Sequence, residues 1–293
     1  MQNFKTASKG PYPPAQKLAL KKNRDQESPQ TASPTYRLAF QDSDLLLRKE
    51  LRPTRLQLEM IKPELILEDH EIESTVVIYG SARIPDPETA RSRVASLEDK
   101  LQEDKQDLEL LLALKKAQKD LKNSRYYQEA RKLGSIISKN TAPNKLVVMT
   151  GGGPGIMEAA NRGAFDVQAP SIGLNIVLEH EQYPNRFITP ELCFQFHYFA
   201  TRKMHFLMRS RSLVAFPGGF GTLDEVFETL TLVQTQKIRP IPVILFGREF
   251  WERTVSFQGL VEEGTISEQD LELFNYVETA EQAWEIIAGF NDL

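Results

Sequence analysis

Six short apolar runs recur along the chain: TVVIYG at 75–80, KLVVMT at 145–150, SIGLNIV at 171–177, ELCFQF at 191–196, SLVAFP at 212–217 and IPVILF at 241–246. Each is a strand's length, and the most uniformly apolar of them read as strands buried on both faces. Between them lie segments with helical spacing: one from about 155, one running through Met204, one over about 222–237, and a helical tail after the last run. This alternation predicts an α/β fold, a Rossmann-like, doubly wound, mostly parallel sheet with helices on both faces. In such a sheet ligands bind beyond the carboxyl ends of the strands, near the point where strand order reverses.

Residues 88–140 break the rhythm. Leu97, Leu101, Leu108, Leu111 and Leu112 recur at helical intervals, and Gly and Pro are absent from 88 to 133, so a long helix or helical hairpin is expected. Upstream, Leu45, Leu46, Leu47, Leu51, Leu56, Leu58 and Met60 suggest one or two short helices punctuated by Pro53 and Pro63. The first stretch, with Pro11, Pro13, Pro14 and Pro34 among Gln, Ser and Thr, has no material for a core. The expected organisation is a mobile amino-terminal arm over 1–37, a helical appendage over 38–73, and a Rossmann-like nucleotide-binding catalytic domain over 74–293 with a helical insertion at about 88–122.

Composition narrows the function. A formal charge of −4 on 293 residues gives no reason to expect nucleic acid or an anionic membrane as a partner. No apolar run reaches the roughly 20 residues that a bilayer requires. The single cysteine, Cys193, excludes an internal disulfide framework, and the expected location is the cytoplasm. Lys5, Lys9, Lys17, Lys21, Lys22 and Arg24 precede the first acid, but a solvated arm accounts for them as well as a presequence does.

Two glycine clusters follow predicted strands. In TGGGPGIMEAANRGA, residues 150–164, Gly151, Gly152, Gly153 and Gly155 lead into a helix, where backbone amides can approach an anion closely. A tight turn with no ligand has the same signature. The spacing is not GxGxxG, and no acid closes the next strand, so a dinucleotide fingerprint is absent. In PGGFGTLDE, residues 217–225, Gly218, Gly219, Gly221 and Thr222 offer a second anion cradle, and no Lys follows in a P-loop arrangement. Two cradles at one sheet edge imply a phosphorylated ligand. Glu225, four residues after Gly221, falls in the first turn of the next helix, where a carboxylate can reach a sugar beside the phosphate and orient water or stabilise a ribosyl cation. Asp224 and Glu225 can equally be acids that complement a helix dipole.

Arg202 and Lys203 sit on an amphipathic helix just upstream, and an arginine there can clamp a phosphate or favour departure of a nitrogen base, unless it is only a solvated face. Ser81 and Arg83 follow the first strand and can touch a nucleotide or cap a loop. Glu158 and Asn161, one helical turn apart, can face ligand or solvent. His180, His197 and His205 form no metal-ligand spacing, so neither a metal nor another cofactor is expected.

Through PGGFGTLDE and Arg202-Lys203-Met204, the chain over about residues 72–290 resembles the Lonely Guy family of nucleoside-monophosphate phosphoribohydrolases, cytokinin-activating enzymes once labelled possible lysine decarboxylases. The pattern PGGxGTxxE is matched by Pro217, Gly218, Gly219, Gly221, Thr222 and Glu225, and the family's upstream arginine by Arg202. The resemblance implies that Glu225 and Arg202 are catalytic, that Gly218–Thr222 hold the 5′-phosphate, and that the Gly151–Gly155 loop helps bind the nucleotide; by their places in the sequence Glu158, Lys203 and Ser81 are expected to bind substrate as well. It implies hydrolysis of a nucleoside 5′-monophosphate, a cytokinin nucleotide or AMP, to free base and ribose 5-phosphate by a homodimer or larger homo-oligomer. The amino-terminal extension, the 88–122 insertion and the GGGPGIMEAAN form of the first glycine motif are those of a longer, bacterial-type member. A non-catalytic carrier of a nucleotide or phosphorylated cofactor is the alternative; it would need the glycine loops but not Glu225.

Overall fold

The computed structural model describes residues 28–103, 106–140, 145–178 and 183–293. The chain divides into two compact units, one reaching Leu58 and one beginning at Glu59. In the first, residues 28–37, expected as part of an arm, form a helical turn, Pro29–Ala32, capped by Ser28, and a 3₁₀ turn, Pro34–Tyr36, capped by Ser33. Both hydroxyls occupy the amide their turn leaves free, which local Ser/Thr-Pro chemistry favours without any core. Residues 1–27 of the expected arm lie outside the described residues.

The second unit carries seven parallel strands: β1 (Ser74–Tyr79), β2 (Leu146–Thr150), β3 (Ser171–Ile176), β4 (Cys193–Phe196), β5 (Ser210–Ala215), β6 (Val243–Phe246) and β7 (Phe274–Val277), in the order β4-β3-β2-β1-β5-β6-β7. The chain winds outward from β1 to β4, returns to the centre at β5, and winds outward the other way. The switch point therefore lies between β1 and β5. The six expected runs are all strands. The seventh, β7, stands within what reads as a helical tail: its four residues, FNYV, lie at the sheet edge with Asn275 exposed, too short and too polar to stand out.

Helix α1 (Arg52–Asp69), which belongs to this unit from Glu59 onward, and helices α2 (Pro87–Glu103), α3 (Leu108–Lys139), α4 (Ile156–Asp166), α5 (Phe199–Met208), α6 (Phe220–Gln234), α7 (Arg248–Thr254), α8 (Phe257–Glu262) and α9 (Ala280–Phe290) complete the unit. Alternation along β1 divides the core. Val76 and Ile78 point into one cluster with Leu133 of α3, Ala160 of α4 and Ile287 of α9. Val77 and Tyr79 point into the other, with Leu67 of α1, Phe206 of α5, Val226 of α6 and Trp251 of α7. The buried residues of α3 begin at Ala117, so its second half is the crossover helix between β1 and β2.

Helix α1 runs straight through both prolines that the sequence suggests as breaks. Pro53 lies in the first turn, where an N–H has no partner. Pro63, inside the helix, leaves the Glu59 carbonyl without its i+4 donor. His205 Nε2 of α5, 3.0 Å away, takes that place. A carbonyl only accepts, so Nε2 carries the hydrogen, and burial pulls the imidazole below its ordinary pKa, consistent with a neutral ring. The Glu59 carboxylate also caps α5, accepting from His197 N at 2.7 Å, Tyr198 N at 3.3 Å and Thr201 Oγ1 at 2.8 Å. At the other end of α5, Arg209 Nη2 pairs with Glu64 at 2.9 Å. Helix α1 thus fixes α5 at both ends and in the middle. Glu59→Ala is expected to lower unfolding stability by about 1–2 kcal/mol, read as a lowered urea midpoint at constant m-value.

Candidate active site

At the carboxyl edge of β1 and β5 a cleft of about 840 Å³ is lined by Tyr79, Ser81, Gly151, Arg202, the Gly218–Thr222 loop and Glu225, among others. Backbone bonds join the strand ends beneath it: Phe216 N donates to Tyr79 O at 2.9 Å and Ser81 N to Pro217 O at 3.0 Å.

The two glycine loops differ in what their backbones are free to do. At the first, Gly155 takes φ +70°, and a Cβ there would lie 2.4 Å from Ser81 O; Ile156 N, the first amide of α4, already donates to that carbonyl at 3.1 Å. Gly152, at φ +77°, packs against the Asn175 side chain. Gly152, Gly153 and Gly155 are buried and do not line the cleft; Gly151 does. A buried polar network braces this loop: Asn185 Nδ2 donates to the carbonyls of Gly152 and Gly153 at 3.2 and 3.1 Å and to Asn161 Oδ1 at 2.9 Å, which also accepts from Thr150 Oγ1 at 2.7 Å. Asn161 therefore faces neither ligand nor solvent. The segment EHEQYPNRF, 179–187, follows a strand and reads from the sequence as a wall of the base pocket; its residues 179–182 lie outside the described residues.

The second loop is open. No side chain caps α6 at Gly219, and a Cβ on Gly219 or Gly221 would meet nothing within 4 Å. The first-turn amides of α6 have no intrahelical partner and face space an anion can occupy. Gly218 packs closely on Thr222, which is itself buried.

Glu225, 6% exposed, stands one turn into α6. Burial pushes its carboxyl up to about 7, against the opposing charges of Arg202 and then Lys203. Tyr79 Oη donates to its Oε2 at 3.3 Å. Arg202 Nε donates to Leu174 O at 2.7 Å, and the guanidinium lies 4.9 Å over the Phe206 ring and against Gly151. Burial lowers the Arg202 pKa, with the charges of Glu225 and Tyr79 opposing, and among the described residues it forms no ion pair within 4 Å. Gly151 leaves it room: a Cβ there would lie 2.7 Å from Arg202 Nη2. Gly151→Ala should displace the guanidinium, and a misplacement near 1 Å costs on the order of 10²-fold in kcat/KM, measured beside an unchanged melting profile.

Of the other expected residues, Ser81 reaches the cleft and Glu158 and Lys203 do not. Glu158 does not line the cleft and accepts from Tyr127 Oη at 2.9 Å. Lys203, next in sequence to Arg202, turns away from it and pairs with Asp224 at 3.0 Å and Glu228 at 2.9 Å. It borders a second cavity of about 830 Å³ with Met204, Leu207 and Ile238, which contains neither Glu225 nor Arg202. Ser81 lines the main cleft, with its Oγ accepting from Arg83 N at 3.1 Å. Tyr79, Asn161 and Asn185 complete the site's framework; their long-range partners leave no local pattern. Among the described residues no group of three or more His, Cys, Asp and Glu stands together, and no helix is long and apolar enough to cross a membrane.

Residues 157–287 match the family described as possible lysine decarboxylase. No curated protein matches the chain. Among solved structures, the molybdenum cofactor binding protein from the phototrophic bacterium Rippkaea orientalis is 18% identical, with 74% of this chain and 95% of that chain covered and a TM-score of 0.44. The Moco carrier protein from Chlamydomonas reinhardtii is 16% identical, with 75% and 98% covered and a TM-score of 0.43. The span matched to the possible lysine decarboxylase family holds Arg202, the Gly218–Thr222 loop and Glu225, and over it the chain is similar to that family.

Proposed function

We propose that the protein is a nucleoside 5′-monophosphate phosphoribohydrolase. The observation that carries this reading is a buried carboxylate, Glu225, one helical turn beyond an uncapped glycine loop and opposed by a cation, Arg202, that has no ion-pair partner among the described residues. The order along the sheet edge supports a role for each residue. Arg202 lies over the second half of β3 and the end of β2, at Leu174 O and Gly151; Tyr79 ends β1 beneath Glu225; the Gly218–Thr222 loop follows β5. A nucleotide with its 5′-phosphate on that loop sets its ribose beside Glu225 and its base toward Arg202.

The reaction then follows. The C1′–N bond breaks, with its electron pair leaving on the base, while a water oxygen bonds to C1′. Glu225 takes the proton the water loses and returns it to the departing base nitrogen, so the carboxylate is regenerated. Arg202 stabilises the negative charge growing on the base, in a site where burial strengthens the interaction. Phosphate binding supplies the anchoring energy.

A carrier has no use for Glu225, whose burial opposes its own ionisation. A pyridoxal-dependent decarboxylase, which the older family description suggests, needs a free lysine, whereas Lys203 is held in ion pairs with Asp224 and Glu228. Burial works to lower the Lys203 pKa, but the hydrogen bonds it donates to Glu228 and then Asp224 keep it raised.

AMP and the cytokinin nucleotides are the substrates this reading ranks first, with a cytoplasmic location and a homodimer as the expected setting. The test is stoichiometry. AMP should yield adenine and ribose 5-phosphate in equal amounts and adenosine should yield neither; equal turnover of adenosine would refute the phosphate anchor.

A further inference from the structure

Tyr79 is a polar side chain that the reaction described above does not use. It lies on the face of β1 that otherwise buries Val77, it is 5% exposed, and a hydroxyl in that position is costly unless it is bonded. Its partner is Glu225 Oε2 at 3.3 Å, 146 residues away in the chain. Among the described residues the other carboxylate oxygen, Oε1, accepts no hydrogen bond. The phenol ring is itself fixed, edge-on to Phe206 with centroids 4.9 Å apart, and the same Phe206 ring carries the Arg202 guanidinium. One aromatic ring thus sets the register of both Tyr79 and Arg202 relative to Glu225.

We propose that Tyr79 is a positioning residue for Glu225: its hydroxyl anchors Oε2, fixes the carboxylate plane, and leaves Oε1 as the oxygen presented to the attacking water. The role rests on the hydrolase reading in taking Glu225 as the base, but the hold on the carboxylate exists without turnover and is measurable without it. Burial, and then the charge of Glu225, keep the phenol well above its ordinary pKa, so it remains a donor throughout the working range. A donor to a carboxylate favours the charged form, so removing it must make Glu225 harder to ionise.

The experiment compares the parent with Tyr79→Phe, following the Glu225 carboxyl by ¹³C NMR against pH and, separately, the pH dependence of kcat with AMP. Phe keeps the ring and its contact with Phe206. The Glu225 titration in Tyr79→Phe is expected to move up by about one pH unit, and the acid limb of kcat to move with it, so that below the midpoint turnover falls about tenfold. A buried tyrosine with a purely structural role would leave both midpoints where they were, and that result overturns the proposal. Site-specific 3-fluorotyrosine at position 79, a stronger donor, should move the titration the other way, which tests the bond even if the Phe variant folds poorly. A titration that shifts in a protein releasing no base would sink the hydrolase reading and leave the Tyr79–Glu225 coupling standing.

Discussion

Glu225→Gln is expected to reduce base release by about 10²- to 10⁴-fold, the range that a positioned general base supplies, while nucleotide binding persists. Glutamine keeps the shape and can accept from Tyr79, but it cannot take a proton. The parent's pH profile should report the same group: with burial pushing Glu225 up to about 7, the active carboxylate is lost as pH falls through that value. The rate should fall tenfold per unit below it and level off above. The same substitution should make the protein more stable in base. The folded pKa, about 7, lies above the ordinary 4.5, so the folded state penalises ionisation. Stability is therefore lost as pH rises from 4.5 through 7 and the loss is complete above 7, at about 1.4 kcal/mol for each pH unit between the two values. At pH 8 the variant should be more stable by a few kcal/mol, and at pH 4 the difference should vanish. An acid that merely complements the α6 dipole would give the opposite sign, a variant less stable at pH 8.

Arg202→Ala should lower kcat by about 10²- to 10³-fold, the magnitude found when one donor to developing charge is removed from a preorganised site. If Arg202 attends the leaving base, the loss is concentrated in kcat, and a base that leaves easily, such as one already carrying positive charge, should recover much of the rate. A role on the phosphate would instead raise KM and spare no substrate. Glu225 should respond as well: with the opposing guanidinium gone its carboxyl becomes harder to ionise, so the acid limb moves to higher pH. Arg202→Lys keeps the charge but not the bond from Nε to Leu174 O, and should recover only part of the loss.

The central strands were legible because β1, β2 and the part of β5 from Ser212 onward are buried on both faces and so appear as mostly apolar runs. The edge strand β7 was not, since Asn275 and Tyr276 interrupt a segment of only four residues. Prolines misled for a physical reason: the cost of Pro63 falls on the Glu59 carbonyl, and the side chain that satisfies it, His205, lies 146 residues away. In the site, the loop before α6 was readable because its glycines lie together and precede a helix. Four glycines at the first loop gave a similar signal, yet Gly152 and Gly155 serve close approach to Asn175 and Ser81, Gly153 accepts from Asn185 through its carbonyl, and Gly151 alone among them lines the cleft. Adjacent residues on a helix point about 100° apart, which is why Arg202 enters the cleft and Lys203 meets Asp224 and Glu228 on its other side. Tyr79 was invisible as a site residue because a tyrosine ending a buried strand reads as core, and nothing near it in sequence reveals that α6 brings a carboxylate to its hydroxyl.

The central claim is that this cleft cuts the N-glycosidic bond of a 5′-monophosphate, and it is tested most directly by chromatography of free base from a panel of nucleoside 5′-monophosphates incubated with the parent and with Glu225→Gln. The account predicts release of at least one base by the parent, with the variant binding the same nucleotide and releasing almost none. Tight, phosphate-dependent binding by both proteins with no base released from any nucleotide would contradict it and make the protein a carrier.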